Sequence, residues 1–347
     1  MSRRQLAVGV AGLGFGANHA RVLDEMEGVR LAALCDPDAR RLAAAAEGRQ
    51  ARTYANPGAM LCEERLDALV VAVPASSHEA VALAAVEAGV AVLVEKPLAP
   101  SLEAGRRLVE AANAAGVPLM AAHIERFNPA LQEMARRVHA GEIGRVVQAV
   151  ARRASAVRVP PKDVNVVHDS AIHDIDALRF VIGAEVADVY AASRGGVVTG
   201  REDAVLGLLR FERGPADDRA AAPAASIEVN WLSPRRLREL SVLGEDGVLV
   251  LDYAAQTLDL YRAPAQRQGP VQGWAASRSG GGVEAVRIPI EPREQLVLEL
   301  EAFASALRDG RPMPVSAQDA LAALAVADAL TESARSGRPV VPERVHS

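Results

Sequence analysis

The chain has only two cysteines, Cys35 and Cys62, in 347 residues. They form no CxxC pair, so a redox motif and a disulfide framework are both excluded. Each falls in or near an expected buried element, and both are expected to be reduced core thiols of a cytoplasmic protein. Aromatic side chains are also scarce, at 3%, so Ala, Val and Leu must carry the hydrophobic cores. Neither sign of charge dominates. Lys and Arg number 39 against 44 Asp and Glu, a net charge of -5 without a basic block. That balance gives no reason to expect a nucleic-acid or anionic-membrane partner. No apolar run reaches the ~18 residues that a membrane span needs. Residues 1–5 are basic, but the apolar run behind them is short and contains glycine. It reads as a first strand rather than a signal peptide.

What is present is a chain that is 50% apolar, long enough for two domains with sizeable cores. In its first third, short apolar runs at 6–10, 30–35, 68–73, 91–94 and 118–121 alternate with helical patterns at 17–26, 38–47, 78–88 and 102–115. That alternation predicts an α/β domain with a parallel, doubly wound sheet and right-handed crossovers. Beyond residue 122 the pattern changes. Helices are expected at 129–140 and 170–182, with a strand at 146–153 between them. Strands follow at 186–193, 204–211, 226–231, 238–243, 248–252 and 258–261, and helices at 293–307 and 316–336. Residues 214–223 read as a loose connection and 277–282 as a glycine-rich loop tip. The expected architecture is a Rossmann domain, 1–122, followed by an α+β domain, 123–347, with a mainly antiparallel open sheet.

Gly12, Leu13, Gly14, Phe15, Gly16 and Ala17 follow the first strand and fit G-x-G-x-x-A. The first glycine permits the tight turn, the second lets backbone approach a pyrophosphate, and Ala17 is expected to keep the helix close to the sheet. The helix N-terminus offers N–H groups to the phosphates. Asp36 ends the second strand, where a carboxylate accepts from the adenosine ribose hydroxyls. Its charge would repel a 2′-phosphate, which favours NAD over NADP; Arg40 and Arg41 are the counter-evidence unless both are solvated. Pro74 and His78 leave the strand at 68–73 at the ligand-binding edge of the sheet. His78 suits either a helix cap or a ligand contact.

Glu95, Lys96 and Pro97 end another buried strand at that edge. The group is either an ordinary exposed strand end or a catalytic element. In the second case Lys96 would polarise a substrate oxygen, Glu95 would hold it, and a cis Lys96–Pro97 bond would fix its direction. Asp169 and His173 are four residues apart on an expected helix and share a face. A histidine beside a carboxylate suits a general base. A metal site and a salt-bridged helix start remain open readings, although the spacing matches no zinc motif.

Gly12-Leu-Gly14-Phe-Gly-Ala17-Asn-His19, Val94-Glu95-Lys96-Pro97 and Asp169-x-x-x-His173, in that order, resemble the Gfo/Idh/MocA oxidoreductases, and the likeness extends through 240–261. The resemblance implies a catalytic set of Lys96, Asp169 and His173 and an open sheet that mediates oligomerisation, giving a homodimer or homotetramer. The segment from His123 through Arg126 to Pro129 looks like that of relatives oxidising UDP-N-acetylglucosamine at C3. There His123 and Arg126 would face the substrate, unless Arg126 lies in an internal ion pair at a domain hinge. Asn165 stands where many relatives have glycine; asparagine tolerates a left-handed backbone, and its side chain would bear on substrate choice. The implied activity is hydride transfer between NAD and a secondary alcohol of a sugar, sugar nucleotide or cyclic polyol, with no metal. Inositol dehydrogenase is the nearest alternative, and a non-catalytic sensor on the same fold is the rival of another class.

Overall fold

The computed structural model describes residues 4–157, 159–213, 222–262 and 284–345. The first sheet has six parallel strands: β1 (Leu6–Ala11), β2 (Val29–Cys35), β3 (Arg52–Tyr54), β4 (Ala68–Val71), β5 (Ala91–Glu95) and β6 (Leu119–Ala122). Their order is β3-β2-β1-β4-β5-β6. Val8, Val10, Leu69, Val70, Val92 and Leu93 are buried, because helices on both faces leave a parallel strand no solvated side. Those helices are α1 (Gly16–Glu25), α2 (Ala39–Ala46), α3 (Pro57–Glu63), α4 (His78–Glu87) and α5 (Leu102–Ala115). The chain order reverses between β1 and β4, and the strand ends there form the crevice in which such sheets bind ligands.

Two elements of this domain escape the periodicity reading. β3 is too short to alternate. α3 carries its own start signal, since Asn56 Oδ1 accepts from Gly58 N and Ala59 N with Pro57 at the first helical position. This corrects the expectation for Cys62, which lies exposed on α3, whereas Cys35 is buried as expected.

The second sheet contains β7 (Val146–Ala154), β8 (Val186–Gly195), β9 (Glu202–Phe211), β10 (Ala224–Asn230), β11 (Leu237–Gly244), β12 (Val248–Asp252), β13 (Thr257–Arg262) and β14 (Glu284–Ile288). Its order is β14-β13-β12-β11-β7-β10-β9-β8, antiparallel except for the β7–β10 pair. The tip at 277–282 and residues 214–221 of the loose connection lie outside the described residues. Helices α6 (Pro129–His139) and α7 (Ile172–Ile182) pack on one face with the long terminal helix α9 (Ala317–Ser336). β9 alternates cleanly, with Val205 and Leu209 facing that core and Leu206 and Leu208 exposed on the other face. Tyr190 of β8 lies opposite Leu208 and is also exposed. Among the described residues no helix is long and apolar enough to cross a membrane.

The last two helices tie the domains together. Leu296, Leu300 and Phe303 of α8 (Gln295–Asp309) join the core of the first sheet. On α9, Leu321 joins that same core while Val326 and Leu330 join the second. α8 also carries Glu299 inward, fully buried, with neither carboxyl oxygen hydrogen-bonded. Burial, then the Glu95 charge, raise its pKa well above the ordinary value of 4.5. The unfolded chain ionises at the ordinary value while the folded chain holds its proton, so this group lowers stability progressively as pH rises above that value. Glu299→Gln removes the titration. Thermal unfolding at about pH 5 and about pH 8 should show the variant gaining a few degrees on the wild type at the higher pH. A gap that is the same at both would contradict the assignment.

Candidate active site

The turn after β1 is shaped by what cannot fit there. Gly12 has φ of 87°, and a Cβ on it would lie 2.4 Å from the Ala72 carbonyl oxygen. Gly14 faces open space, which leaves room for a phosphate group against the backbone. A Cβ on Gly16 would sit 3.1 Å from Ala72 Cβ and Val10 Cγ1. Gly16, rather than Ala17, therefore brings α1 against the sheet, while Ala17 is half-buried; the helix phase turns the residue one place earlier inward. Leu13 N donates to Asp36 Oδ2 at 2.7 Å and Asp38 N to Asp36 Oδ1 at 2.8 Å. Asp36 is thus a buried anchor of the glycine turn as well as the strand-end carboxylate. Arg40 and Arg41 are exposed at the start of α2, where Asp38 caps their backbone N–H groups.

At the end of β5, Glu95 and Lys96 point to different partners. Glu95 Oε1 is 2.7 Å from His19 Nε2, and Lys96 N donates to Glu95 Oε2 at 3.2 Å. Burial raises the Glu95 carboxyl pKa, but the His19 contact and the Lys96 charge outweigh it and hold the carboxyl below its ordinary value. Lys96 Nζ instead crosses to the second domain, donating to Asp169 Oδ1 at 2.9 Å and to the Asp169 carbonyl at 2.7 Å. The Lys96–Pro97 bond is cis.

Asp169 lies on a π-helical turn, Val167–Ala171, immediately before α7. Its Oδ2 accepts from Ser170 Oγ at 2.9 Å and from Trp231 Nε1 at 3.2 Å. Burial opposes its ionisation, yet Lys96 and the two hydroxyl and indole donors keep its pKa below the ordinary value. The expected support of His173 by Asp169 is not made; the carboxylate supports Lys96. His173 Nδ1 has no hydrogen-bond partner. Burial first, then the Lys96 and Arg153 charges, push the His173 pKa well below 6.5. A neutral imidazole that lines the cavity can accept a proton. Arg153, which also lines the cavity, is bound to Asp174 at 2.8 and 3.0 Å and to Glu125 at 3.0 Å.

These groups line one cavity of about 510 Å³, with Phe15, Pro74, Glu95 and Lys96 on the first-domain side and Asp169, His173 and Arg238 on the other. Four expected residues take other places. Arg126 makes a bidentate pair with Asp176 at 2.8 and 2.7 Å and reaches Asp319 at 3.2 Å, the internal ion pair of the alternative reading. His123 is buried beside it, 3.7 Å from Asp176, away from the cavity lining. Asn165 has no positive φ; its side chain caps the π-turn by accepting from Val167 N and His168 N and donates to Glu202. His78 borders the cavity, but its ring nitrogens face the Pro97 carbonyl at 2.7 Å and the Val73 carbonyl at 2.9 Å, so neither is free for a ligand. His168 is held by Asn165 and Asp328. Three lining or supporting groups, His19, Arg153 and Arg238, are absent from the sequence-based site. Of these only His19 had a signal, its place at the end of the glycine motif.

Comparison with known proteins places the chain in a family. Residues 6–123 match the model of an oxidoreductase family's NAD-binding Rossmann fold, and residues 136–341 match that family's C-terminal alpha/beta domain. Inositol 2-dehydrogenase 2 of Saccharopolyspora erythraea is 33% identical over 95% of this chain and 93% of its own length. D-apiose dehydrogenase of Paraburkholderia graminis is 31% identical over 94% of this chain and 86% of its own. The structure of UDP-N-acetylglucosamine 3-dehydrogenase from Acidithiobacillus ferrooxidans superimposes with a TM-score of 0.81, at 26% identity, covering 96% of this chain and 98% of that one.

The double use of Asp36 makes a specific prediction. Losing a buried charged acceptor costs about 1.5–3 kcal/mol, so Asp36→Ala should weaken NADH binding by about tenfold or more. Calorimetry with NADH checks this, and an unchanged NADH affinity would refute the anchoring role.

Proposed function

The chain belongs to the Gfo/Idh/MocA oxidoreductase family, and we propose that it is an NAD-dependent dehydrogenase acting on a secondary alcohol of a sugar, sugar nucleotide or polyol. The observation that carries this reading is the convergence of Lys96, Asp169 and His173 from two domains on one cavity beside the glycine turn. The turn from Gly12 to Ala17 would hold the pyrophosphate, Asp36 the adenosine ribose, and Pro74 and Glu95 would border the nicotinamide end. The cofactor supplies the hydride acceptor or donor. In the oxidising direction His173 takes the hydroxyl proton. Lys96 donates a hydrogen bond to the same oxygen and stabilises its developing charge. Asp169 fixes the Lys96 ammonium, and Trp231 and Ser170 fix Asp169. The buried carboxylate at the ribose position supports NAD over NADP. The complete proton-handling set favours catalysis over a sensor role, and the relatives' names keep inositol within the substrate range.

Loss of a general base costs about a hundredfold to ten-thousandfold in rate. Lys96→Ala and His173→Ala should each lower kcat by at least about a hundredfold, with NADH affinity changed about twofold or less. The acid limb of kcat/KM for oxidation should fall below the ordinary histidine value of 6.5, because the His173 base is neutral there. NAD reduction followed across a panel of sugars, sugar nucleotides and inositols checks both. Near-normal turnover of His173→Ala would remove it as the base.

The second sheet supports a further part of the proposal, self-association as a dimer or tetramer. Tyr190, Leu206 and Leu208 form a contiguous exposed apolar patch on paired strands. A second copy presenting the same patch would cover it, as symmetric homo-oligomers do. Leu206→Asp with Leu208→Asp should shift sedimentation toward the monomer, while a monomeric wild type at micromolar concentration would refute the proposal.

A further inference from the structure

Arginines near the active site follow a pattern with one exception. Arg126 is paired with Asp176, and Arg153 with Asp174 and Glu125. Arg238 also lines the cavity, but no carboxylate lies within ion-pair distance among the described residues, and its buried Nε has no hydrogen-bond partner. Its location sharpens the contrast. On β11, Arg238 stands directly opposite Arg153 of β7, and like charges opposite each other in adjacent strands destabilise a sheet. Arg153 is neutralised by its two carboxylates. Burial first, then the Arg153 charge, disfavour the Arg238 charge and outweigh the more distant Glu125 and Asp174 carboxylates, and among the described residues no side chain completes its hydrogen bonding.

A guanidinium remains charged in proteins and is a poor occupant of a partly buried place without an anion. Its planar donors suit a carboxylate or phosphate. Arg238 shares its cavity with Lys96 and His173. The Lys96 charge is already engaged by Asp169. Arg238 is therefore the cation left to meet a charge on the ligand. Building on the dehydrogenase reading, we infer that Arg238 is a specificity-determining residue and that the substrate carries an anionic oxygen group. Two sources share that chemistry, a carboxylate on the sugar or polyol and the diphosphate of a sugar nucleotide. Neutral cyclic polyols lack it and are poor substrates on this account.

The test uses the full chain saturated with NADH. Calorimetry compares D-glucuronate with its uncharged amide, and UDP-N-acetylglucosamine with N-acetylglucosamine, for wild type, Arg238→Gln and Arg238→Lys. A charge-assisted hydrogen bond is roughly twice as strong as a neutral one. At least one anionic ligand should therefore bind about tenfold or more tighter than its uncharged counterpart. The pair that shows the difference identifies the source of the charge. Arg238→Gln should erase the preference, Arg238→Lys should retain part of it, and NADH affinity, which reports an intact fold, should stay within about twofold. Binding of neither anion, or a preference that survives in Arg238→Gln, would overturn the inference. A parallel NAD-reduction assay separates the two readings. Turnover of neutral polyols that ignores Arg238→Gln would sink this inference and leave the dehydrogenase standing. Arg238-dependent anion binding without NAD reduction by any alcohol would do the reverse.

Discussion

The ion pair between Lys96 Nζ and Asp169, 2.9 Å across the boundary between two sheets, is the contact on which the rest of the site depends. Lys96 comes from the carboxyl end of a parallel strand and Asp169 from an irregular turn before a helix, so neither domain holds the pair by itself. The second bond, from Nζ to the Asp169 carbonyl at 2.7 Å, fixes the ammonium against backbone as well as side chain. Trp231 and Ser170 then donate to the other carboxylate oxygen. A lysine held this way presents its ammonium at a fixed point, which is what stabilising a developing alkoxide requires.

The Lys96 ammonium of that pair also bears on His173. Burial first, then the Lys96 and Arg153 charges, hold the imidazole neutral, a state ready to take a proton. Arg153 stays in place because Asp174 and Glu125 enclose it and the Tyr253 ring lies 5.3 Å from its guanidinium carbon. On the cofactor side His19 plays the comparable part for Glu95. Truncating one member of such a buried pair leaves an uncompensated charge, so these supporting groups are costly to change even though none need touch substrate.

Much of the fold was legible because local pattern and global architecture agree. Strand–helix alternation and the glycine turn identify the first domain. The switch to spaced strands identifies the second, and Lys96, Asp169 and His173 were visible as strand-end and helix-face residues. What stayed hidden depends on distant contacts. His19 and Glu95 are 76 residues apart, and Arg153 and Arg238 meet only through the register of β7 with β11. The resemblance of their segment to that of sugar-nucleotide relatives points Arg126 and His123 toward substrate, with an internal ion pair as the other reading for Arg126. Asp176, 50 residues beyond Arg126, claims the arginine instead. At Asn165 the sequence suggests a left-handed backbone and a side chain bearing on substrate, whereas that side chain caps the π-turn. A motif thus locates a reacting group better than it assigns that group's partner.

The central claim is that Lys96 and Asp169 act as one unit rather than as two independent contributors. A double-mutant cycle on kcat, comparing Lys96→Met, Asp169→Asn and the combined variant on the best alcohol substrate, tests it most directly. Residues that act as a unit are strongly non-additive. The pair is predicted to lose, when both are changed, no more than about tenfold beyond the worse single variant. A combined loss equal to the product of the two single losses would contradict the account.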